Sequence, residues 1–262
     1  MEQDNPLADP HTASAVFFPR PDMPYGPEAN GARDHLFDSE PGVRLRLRLF
    51  PGPADAPAIL FFHGNGETAR DYDGLADEYR ALPATFAVAE YRGYGPSTGE
   101  PSLRTFLGDA HRTLDELKTL LAAEGRPAPV VVMGRSLGSA PAIELASARP
   151  SEVAGLVVES GFARIVPLLE LIGVPAGRLG ITEDHGPQNE RKMAKVEAPT
   201  LILHAEEDEI IPIRDAELLH AASRDPGVVF FRVPGAGHND IQHRAGPAYF
   251  ERIRELLARL PR

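Results

Sequence analysis

Short apolar runs alternate with longer amphipathic stretches along most of this chain. The runs are typical of buried strands and are AILFF (58–62), TFAVAEY (85–91), PVVVMG (129–134), GLVVES (155–160), TLILHA (200–205) and VVFFRV (228–233). Helical patterns lie between and after them, at about 68–81, 102–123, 137–148, 162–173, 213–223 and 247–260. Because strands that alternate with helices form a mostly parallel sheet with helices on both faces, we predict the α/β class.

The remaining segments are assigned from composition and pattern. Residues 1–34 contain six prolines and few apolar residues, so we predict an extended N-terminal arm before a single domain at 35–262. VRLRLRLF (43–50) alternates strictly, which predicts a strand with one solvated face. The stretch between the strands that end near Ser160 and begin near Thr200 predicts a short helical cap at about 161–198.

Charge and composition exclude several classes of function. The formal net charge of −11 makes the surface repel phosphate backbones and anionic lipids, so we expect no nucleic-acid partner. The absence of cysteine excludes thiolate catalysis and thiolate metal sites. No run of about 18 apolar residues is present and the N-terminus lacks a signal-peptide pattern, so we expect a cytoplasmic protein without an integral membrane segment.

Side chains that could take part in catalysis directly follow the predicted strands. Ser136 follows one strand within Gly-Arg-Ser-Leu-Gly, Asp208 follows the strand that ends near Ala205, and His238 follows the last strand. Ligands of parallel sheets bind at the carboxyl ends of strands, so these three side chains are expected to meet. A serine hydroxyl is a poor nucleophile, which a histidine activates by taking its proton while a carboxylate orients the imidazole.

The negative oxygen formed by nucleophilic attack needs donors that are already in place. The backbone N–H groups of Leu137 and Asn65 are the candidates for this oxyanion hole, with Gly66 as a substitute for Asn65. Leu137 also begins a predicted helix, whose N-terminus favours negative charge.

Five motifs in this order resemble the α/β-hydrolase superfamily: HGNGE, EYRGYGPSTGEPS, GRSLGS, PTLILHAEEDEIIP and GAGHND. They are most similar to the branch of serine hydrolases that contains lysophospholipase-like and monoacylglycerol-lipase-like enzymes and depalmitoylating thioesterases. The resemblance covers roughly residues 40–260 and implies an α/β-hydrolase fold, with Ser136 on a sharp turn between strand and helix.

Several residues have competing interpretations. Asp208 lies in one acidic run with Glu206, Glu207 and Glu209, and the resemblance favours Asp208 as the catalytic acid. Glu159, at the end of the preceding strand, is a rival position.

The other candidates at strand ends are less specific. His63 is expected to shape the oxyanion turn, and Arg135 is either a substrate contact or a structural ion pair. The candidates for a substrate pocket are Gly66, Tyr94, Arg135, Phe162 and Ile165.

The chemistry that follows is acyl transfer to water. We expect a small or single-chain ester or thioester substrate, because the predicted cap is short, and we expect neither a metal nor a cofactor. A serine peptidase or amidase of the same fold is the alternative. A ligand-binding protein without catalytic activity is the alternative of another class, since fold does not imply activity.

Overall fold

The computed structural model describes residues 5–8, 10–23 and 31–260. Eight strands form one sheet in the order β1-β2-β4-β3-β5-β6-β7-β8. Their bounds are β1 Arg33–Glu40, β2 Val43–Phe50, β3 Ala58–Phe62, β4 Thr85–Ala89, β5 Val130–Arg135, β6 Val153–Glu159, β7 Thr200–Ala205 and β8 Val229–Val233. The β1/β2 and β2/β4 pairs are antiparallel, and the remaining pairs are parallel. This mostly parallel sheet confirms the predicted fold class.

Helices cover both faces of the sheet. Their bounds are α1 Pro10–Val16, α2 Ala76–Arg80, α3 Leu103–Ala123, α4 Ser139–Ala148, α5 Ile165–Leu171, α6 Asn189–Met193, α7 Ile213–Ala222, α8 Ile241–Ala245 and α9 Pro247–Ala258. Shorter 3-10 turns occur at Pro6–Ala8, Ala69–Leu75, Ser136–Gly138 and Glu183–His185. Within the described ranges, no helix combines the length and apolar character needed to cross a membrane.

Alternate residues of the central strands feed two separate cores. Leu60 of β3 and Val132 of β5 face a cluster that includes residues of α3 and α4, whereas Phe61 and Met133 face a cluster that includes α9. Both faces of these strands are therefore buried, which explains their continuous apolar sequences.

The predicted solvated face of β2 is wrong. Arg46 and Arg48 are buried, with only 1% and 8% of their side chains exposed. Arg46 donates to Asp22 and Glu90, while Arg48 donates to Asp73. The alternation correctly predicted a strand, but carboxylates from distant segments cover the face that was expected to contact water.

The polar strand β1 was not predicted, because its sequence RDHLFDSE lacks a clear apolar alternation. It pairs with β2 along almost its whole length and lies at the edge of the sheet. Backbone pairing therefore defines this strand more than side-chain burial does.

The N-terminal segment is not extended throughout, since Pro10–Val16 forms α1. After this helix, Phe17 is buried and packs edge-on against Phe106 with 5.4 Å between ring centroids. Residues 24–30 of the predicted arm lie outside the described ranges. The domain boundary at 34/35 and the cap at 161–198 remain predictions; α5 and α6 lie within the latter segment.

Candidate active site

Ser136 lies at the turn where β5 passes through a 3-10 turn into α4. Its backbone has φ = 53°, a left-handed conformation that a non-glycine residue seldom adopts. A Cβ atom at Gly134 would overlap the carbonyl of Gly138, and one at Gly138 would overlap the carbonyl of Phe62. The two glycines therefore permit the close backbone packing that holds Ser136 in its strained position.

A continuous row of hydrogen bonds joins the three predicted catalytic side chains. Ser136 Oγ lies 2.9 Å from His238 Nε2. On the other side of the imidazole, Nδ1 lies 2.9 and 2.8 Å from the two carboxylate oxygens of Asp208. Because an ionised carboxylate only accepts, Nδ1 carries the proton and Nε2 is left to accept from the serine hydroxyl.

Asp208 is the buried member of its acidic run, whereas Glu206, Glu207 and Glu209 are exposed. Its Oδ1 accepts hydrogen bonds from the backbone N–H groups of Ile210 at 3.0 Å and Ile211 at 2.7 Å. Burial raises the pKa of Asp208, but the hydrogen bond and charge of His238 and the N–H of Ile211 outweigh it and hold the pKa below its usual value. This carboxylate is therefore kept ionised beside the imidazole.

The rival carboxylate Glu159 is engaged elsewhere. It accepts a 2.5 Å hydrogen bond from the Tyr249 hydroxyl and lies 3.3 Å from the Arg135 guanidinium. Burial raises the pKa of Glu159, and the attraction of Arg135 only partly offsets it. Asp208, and not Glu159, accepts the hydrogen bond from His238 Nδ1.

Arg135 serves the structure of the site. It forms an ion pair with Glu67 and donates to the His238 carbonyl at 3.0 Å and to Asn239 Oδ1 at 2.9 Å. Of its two predicted interpretations, these contacts support the structural ion pair over a substrate contact.

The loop that carries His238 is held from two further directions. Glu209 accepts from the backbone N–H of His238 at 3.0 Å, and Asp240 accepts from the N–H of Gly237 at 2.7 Å. Sequence reasoning assigned Glu209 no role because an exposed glutamate in an acidic run carries no signal of its partner.

Two buried histidines outside the row brace the adjacent loops. His63 Nδ1 lies 2.8 Å from the Gly64 carbonyl, so it braces the turn that leads to Asn65; its predicted part in an oxyanion turn remains a prediction. His204 Nε2 donates to the Ile211 carbonyl at 2.8 Å and stabilises the loop around Asp208.

The two predicted oxyanion residues lie on different loops at the strand ends. Leu137 directly follows Ser136, and Asn65 follows β3 in the loop His63-Gly64-Asn65-Gly66. The assignment of Leu137 and of Asn65 or Gly66 as the two donors remains a prediction.

Three of the predicted pocket residues, Tyr94, Phe162 and Ile165, have different surroundings. Tyr94 is fully buried and its hydroxyl donates to Asn65 Oδ1 at 2.7 Å, so it supports the loop that carries Asn65 instead of lining an open pocket. Phe162 lines a mostly apolar cavity of about 120 Å³ between α5 and the loop that contains Ile210 and Ile211. Ile165 is buried against Gly186 and is not among the residues that line this cavity.

Among the described residues, no cluster of three potential metal ligands is present. The predicted absence of a metal and of a nucleic-acid partner, and the cytoplasmic location, remain predictions.

Comparisons with known proteins bear on the family of this chain. Residues 54–180 match the family described as serine aminopeptidase, S33. An uncharacterised protein of Mycobacterium tuberculosis is 33% identical over 229 residues, which cover 86% of this chain and 79% of that protein. The alpha/beta hydrolase domain-containing protein 17B of Xenopus laevis is 30% identical over 212 residues, covering 79% of this chain and 68% of that protein.

A solved structure extends the similarity to the fold. The Pyrococcus furiosus esterase Pf2001 aligns with a TM-score of 0.71 at 15% identity, covering 92% of this chain and 98% of that chain. Similarity at this identity concerns the fold alone, and the relatives in sequence carry the family assignment. The chain therefore belongs to the α/β-hydrolase superfamily.

Proposed function

We propose that this protein is a serine hydrolase that cleaves carboxylic esters or thioesters of small or single-chain acyl substrates. The observation that carries the proposal is the hydrogen-bonded row from Ser136 through His238 to Asp208, with Ser136 held at φ = 53°. A serine fixed on a strained turn, with its hydroxyl against an imidazole whose other nitrogen meets a buried carboxylate, is the arrangement that activates a nucleophile.

The reaction proceeds through an acyl-enzyme. Ser136 Oγ attacks the substrate carbonyl carbon while its proton passes to His238 Nε2. The N–H groups of Leu137 and Asn65 stabilise the negative oxygen of the tetrahedral intermediate. His238 then protonates the departing alcohol or thiol, and the bond between the carbonyl carbon and the leaving group breaks.

Hydrolysis of the acyl-enzyme restores the protein. Water attacks the ester carbon on Ser136 as His238 Nε2 takes a proton from it, which forms a second tetrahedral intermediate. The bond to Ser136 Oγ breaks, His238 returns the proton to the serine, and the carboxylic acid leaves. Throughout both halves, Asp208 holds the imidazole in the tautomer that presents Nε2 to the serine.

The cavity between α5 and the loop that contains Ile210 and Ile211 is the candidate pocket for a small acyl group. Its volume of about 120 Å³ is roughly four times the space of one water molecule. Its lining includes Phe162, Leu168 and Leu171, which suit an alkyl chain. A series of p-nitrophenyl esters should therefore give the highest kcat/KM for acetyl to butyryl esters and a decline towards palmitoyl.

The test of the proposal is covalent labelling at one residue. A fluorophosphonate probe should label the wild-type protein, and Ser136→Ala should abolish both labelling and p-nitrophenyl ester hydrolysis. Ester hydrolysis that persists in purified Ser136→Ala would refute the assignment of the nucleophile. A wild-type protein that neither reacts with the probe nor cleaves esters would favour the ligand-binding alternative.

An aminopeptidase is the second candidate, because the matching family at residues 54–180 carries that description. The same residues would attack an amide, with His238 protonating the departing amine. Aminoacyl p-nitroanilides should be cleaved more slowly than p-nitrophenyl esters if the ester proposal is correct, after correction for the uncatalysed rates.

A further inference from the structure

The N-terminal segment contacts the loop that carries the proposed oxyanion donor through two side chains, Asn65 of the loop and Arg20 of the segment. We propose that the Asn65 side chain is a positioning residue, which ties residues 16–22 to the oxyanion loop and so holds the Asn65 backbone N–H ready for the negative oxygen. This inference rests on the proposed serine hydrolase function.

Asn65 uses both ends of its amide to hold the N-terminal segment. Its Nδ2 donates to the Val16 carbonyl at 2.7 Å. Its Oδ1 accepts from the Phe18 backbone N–H at 2.9 Å and from the Tyr94 hydroxyl at 2.7 Å. The Phe18 N–H also lies 2.9 Å from the Tyr94 hydroxyl. These bonds fix the orientation of Asn65 relative to two separate parts of the chain.

The adjacent residue of the loop is held by the same segment. The Arg20 guanidinium donates to the Gly66 carbonyl and forms an ion pair with Asp71. The Arg20 carbonyl accepts from the backbone N–H of Gly95 at 2.9 Å. Contacts with both Asn65 and Gly66 therefore join the N-terminal segment to the middle of the oxyanion loop.

The segment is itself anchored within and after these contacts. Between the contacts at Val16 and Phe18, Phe17 is buried against Phe106. After them, Asp22 makes two 2.7 Å hydrogen bonds to the buried guanidinium of Arg46. The Asn65 side chain is thus attached to a support that packing and an ion pair already hold in place.

This support matters because an oxyanion donor must be in position before negative charge develops. The loop includes Gly66 with φ = 72°, a conformation that glycine adopts without steric cost. The side-chain bonds of Asn65 restrict this loop without occupying its own backbone N–H. Loss of these bonds should reduce the stabilisation of the transition state more than the binding of the substrate. We therefore expect kcat to fall while KM changes little.

The test combines kinetics with a tetrahedral inhibitor. Asn65→Ala removes all three side-chain bonds and keeps the backbone N–H. We expect kcat for p-nitrophenyl butyrate to fall about 10- to 100-fold, because misplacing one donor should cost no more than removing it. KM should stay within about threefold of the wild-type value. The inhibition constant of butylboronic acid, which forms a tetrahedral adduct with serine, should rise by the same factor as kcat falls.

Two further variants calibrate the effect. Tyr94→Phe removes one of the two donors to Asn65 Oδ1 and should give the same pattern at roughly 3- to 10-fold. Asn5→Ala is the matched control, because Asn5 holds the residues before α1 through the His185 carbonyl and the Leu7 N–H, away from the oxyanion loop. We expect its kcat and boronate inhibition to remain within twofold of wild type.

The opposite results overturn the inference. Unchanged kcat and boronate inhibition in Asn65→Ala would show that the side chain does not position the donor. Equal losses in Asn5→Ala and Asn65→Ala would indicate general loosening of the segment instead. If Asn65→Ala does not fold, Tyr94→Phe provides the same test. Failure of the proposed function is recognised separately, because the wild type would then lack ester turnover or Ser136→Ala would retain it, and the positioning role would fall with it.

Discussion

Two clusters of polar side chains in this molecule differ in what their charges do. What we term the catalytic row, after its proposed role, consists of Ser136, His238 and Asp208, and it lies where β5, β7 and β8 end. The arginine cluster consists of Arg46 and Arg48 of β2 with Asp22, Asp34, Asp73 and Glu90. Both clusters bury charge, but they use it in different ways.

The arginine cluster pairs each guanidinium with carboxylates from other segments. Arg46 meets Glu90 and Asp22, and Arg48 meets Asp73 and Asp34. Such pairing offsets the free-energy cost of burying charge and ties four parts of the chain to β2. The catalytic row instead ends at the hydroxyl of Ser136, whose backbone has φ = 53°. Buried charge that is satisfied by ion pairs organises structure, whereas a hydrogen-bonded row that ends at a nucleophile is suited to chemistry.

The largest expected effect lies in the catalytic row. Asp208→Asn keeps the size of the side chain but removes the carboxylate that orients His238, so kcat should fall about 10³- to 10⁴-fold. The melting temperature should stay within a few degrees of the wild-type value. Steady-state kinetics with p-nitrophenyl butyrate measure this change. Glu207→Gln, at an exposed neighbouring position, is the matched control and should remain within twofold. Similar losses in the two variants would contradict the assignment of the acid.

The second effect tests the structural role of the arginine cluster. Arg46→Met leaves Glu90 buried without its main partner, so the free energy of unfolding should fall by about 3–5 kcal/mol. Urea denaturation measures it, with Arg44→Met as control because 59% of the Arg44 side chain is exposed. A stability of Arg46→Met equal to that of Arg44→Met would mean that the ion pairs contribute nothing net.

The third effect concerns pH and Asp22. Burial raises the pKa of Asp22, but the hydrogen bonds and charge of Arg46 outweigh it and hold the pKa below its ordinary value of 3.8. Because the folded-state pKa is the lower one, the stabilisation is present above the unfolded pKa and is lost as pH falls through the folded value. Asp22→Asn should therefore lower stability at pH 7 and make it less dependent on pH below about 4. Urea denaturation of both proteins at pH 7 and at pH 3 measures the difference, and an equal loss at both values would exclude this linkage.

The smallest expected effect is at Glu159. Glu159→Gln should leave kcat within about threefold of wild type, because Asp208 and not Glu159 is bonded to the imidazole. Glutamine can still accept from the Tyr249 hydroxyl, which limits the structural disturbance. A loss of kcat comparable to that of Asp208→Asn would identify Glu159 as part of the catalytic row. A carboxylate that is paired with an arginine would then also serve the chemistry.

Much of the fold followed from local pattern. The apolar runs at 58–62 and 200–205 coincide with β3 and β7, because buried strands have apolar side chains on both faces. The residues that follow such strands share one edge of the sheet, so the meeting of Ser136, Asp208 and His238 could be expected before any coordinates. Strand β1 was missed because an edge strand held by backbone pairing needs no apolar pattern.

What sequence alone determined is therefore the class of fold and the residues that arrive at the strand ends. Tertiary structure decided which polar groups are buried and what they contact: Arg46 meets Asp22 and Glu90, Arg135 pairs with Glu67, and Asn65 binds the backbone around Phe17. The physical reason is that periodicity records only the environment of a residue along its own strand or helix. The partner of a polar side chain comes from a distant part of the chain, and only the folded arrangement brings the two together.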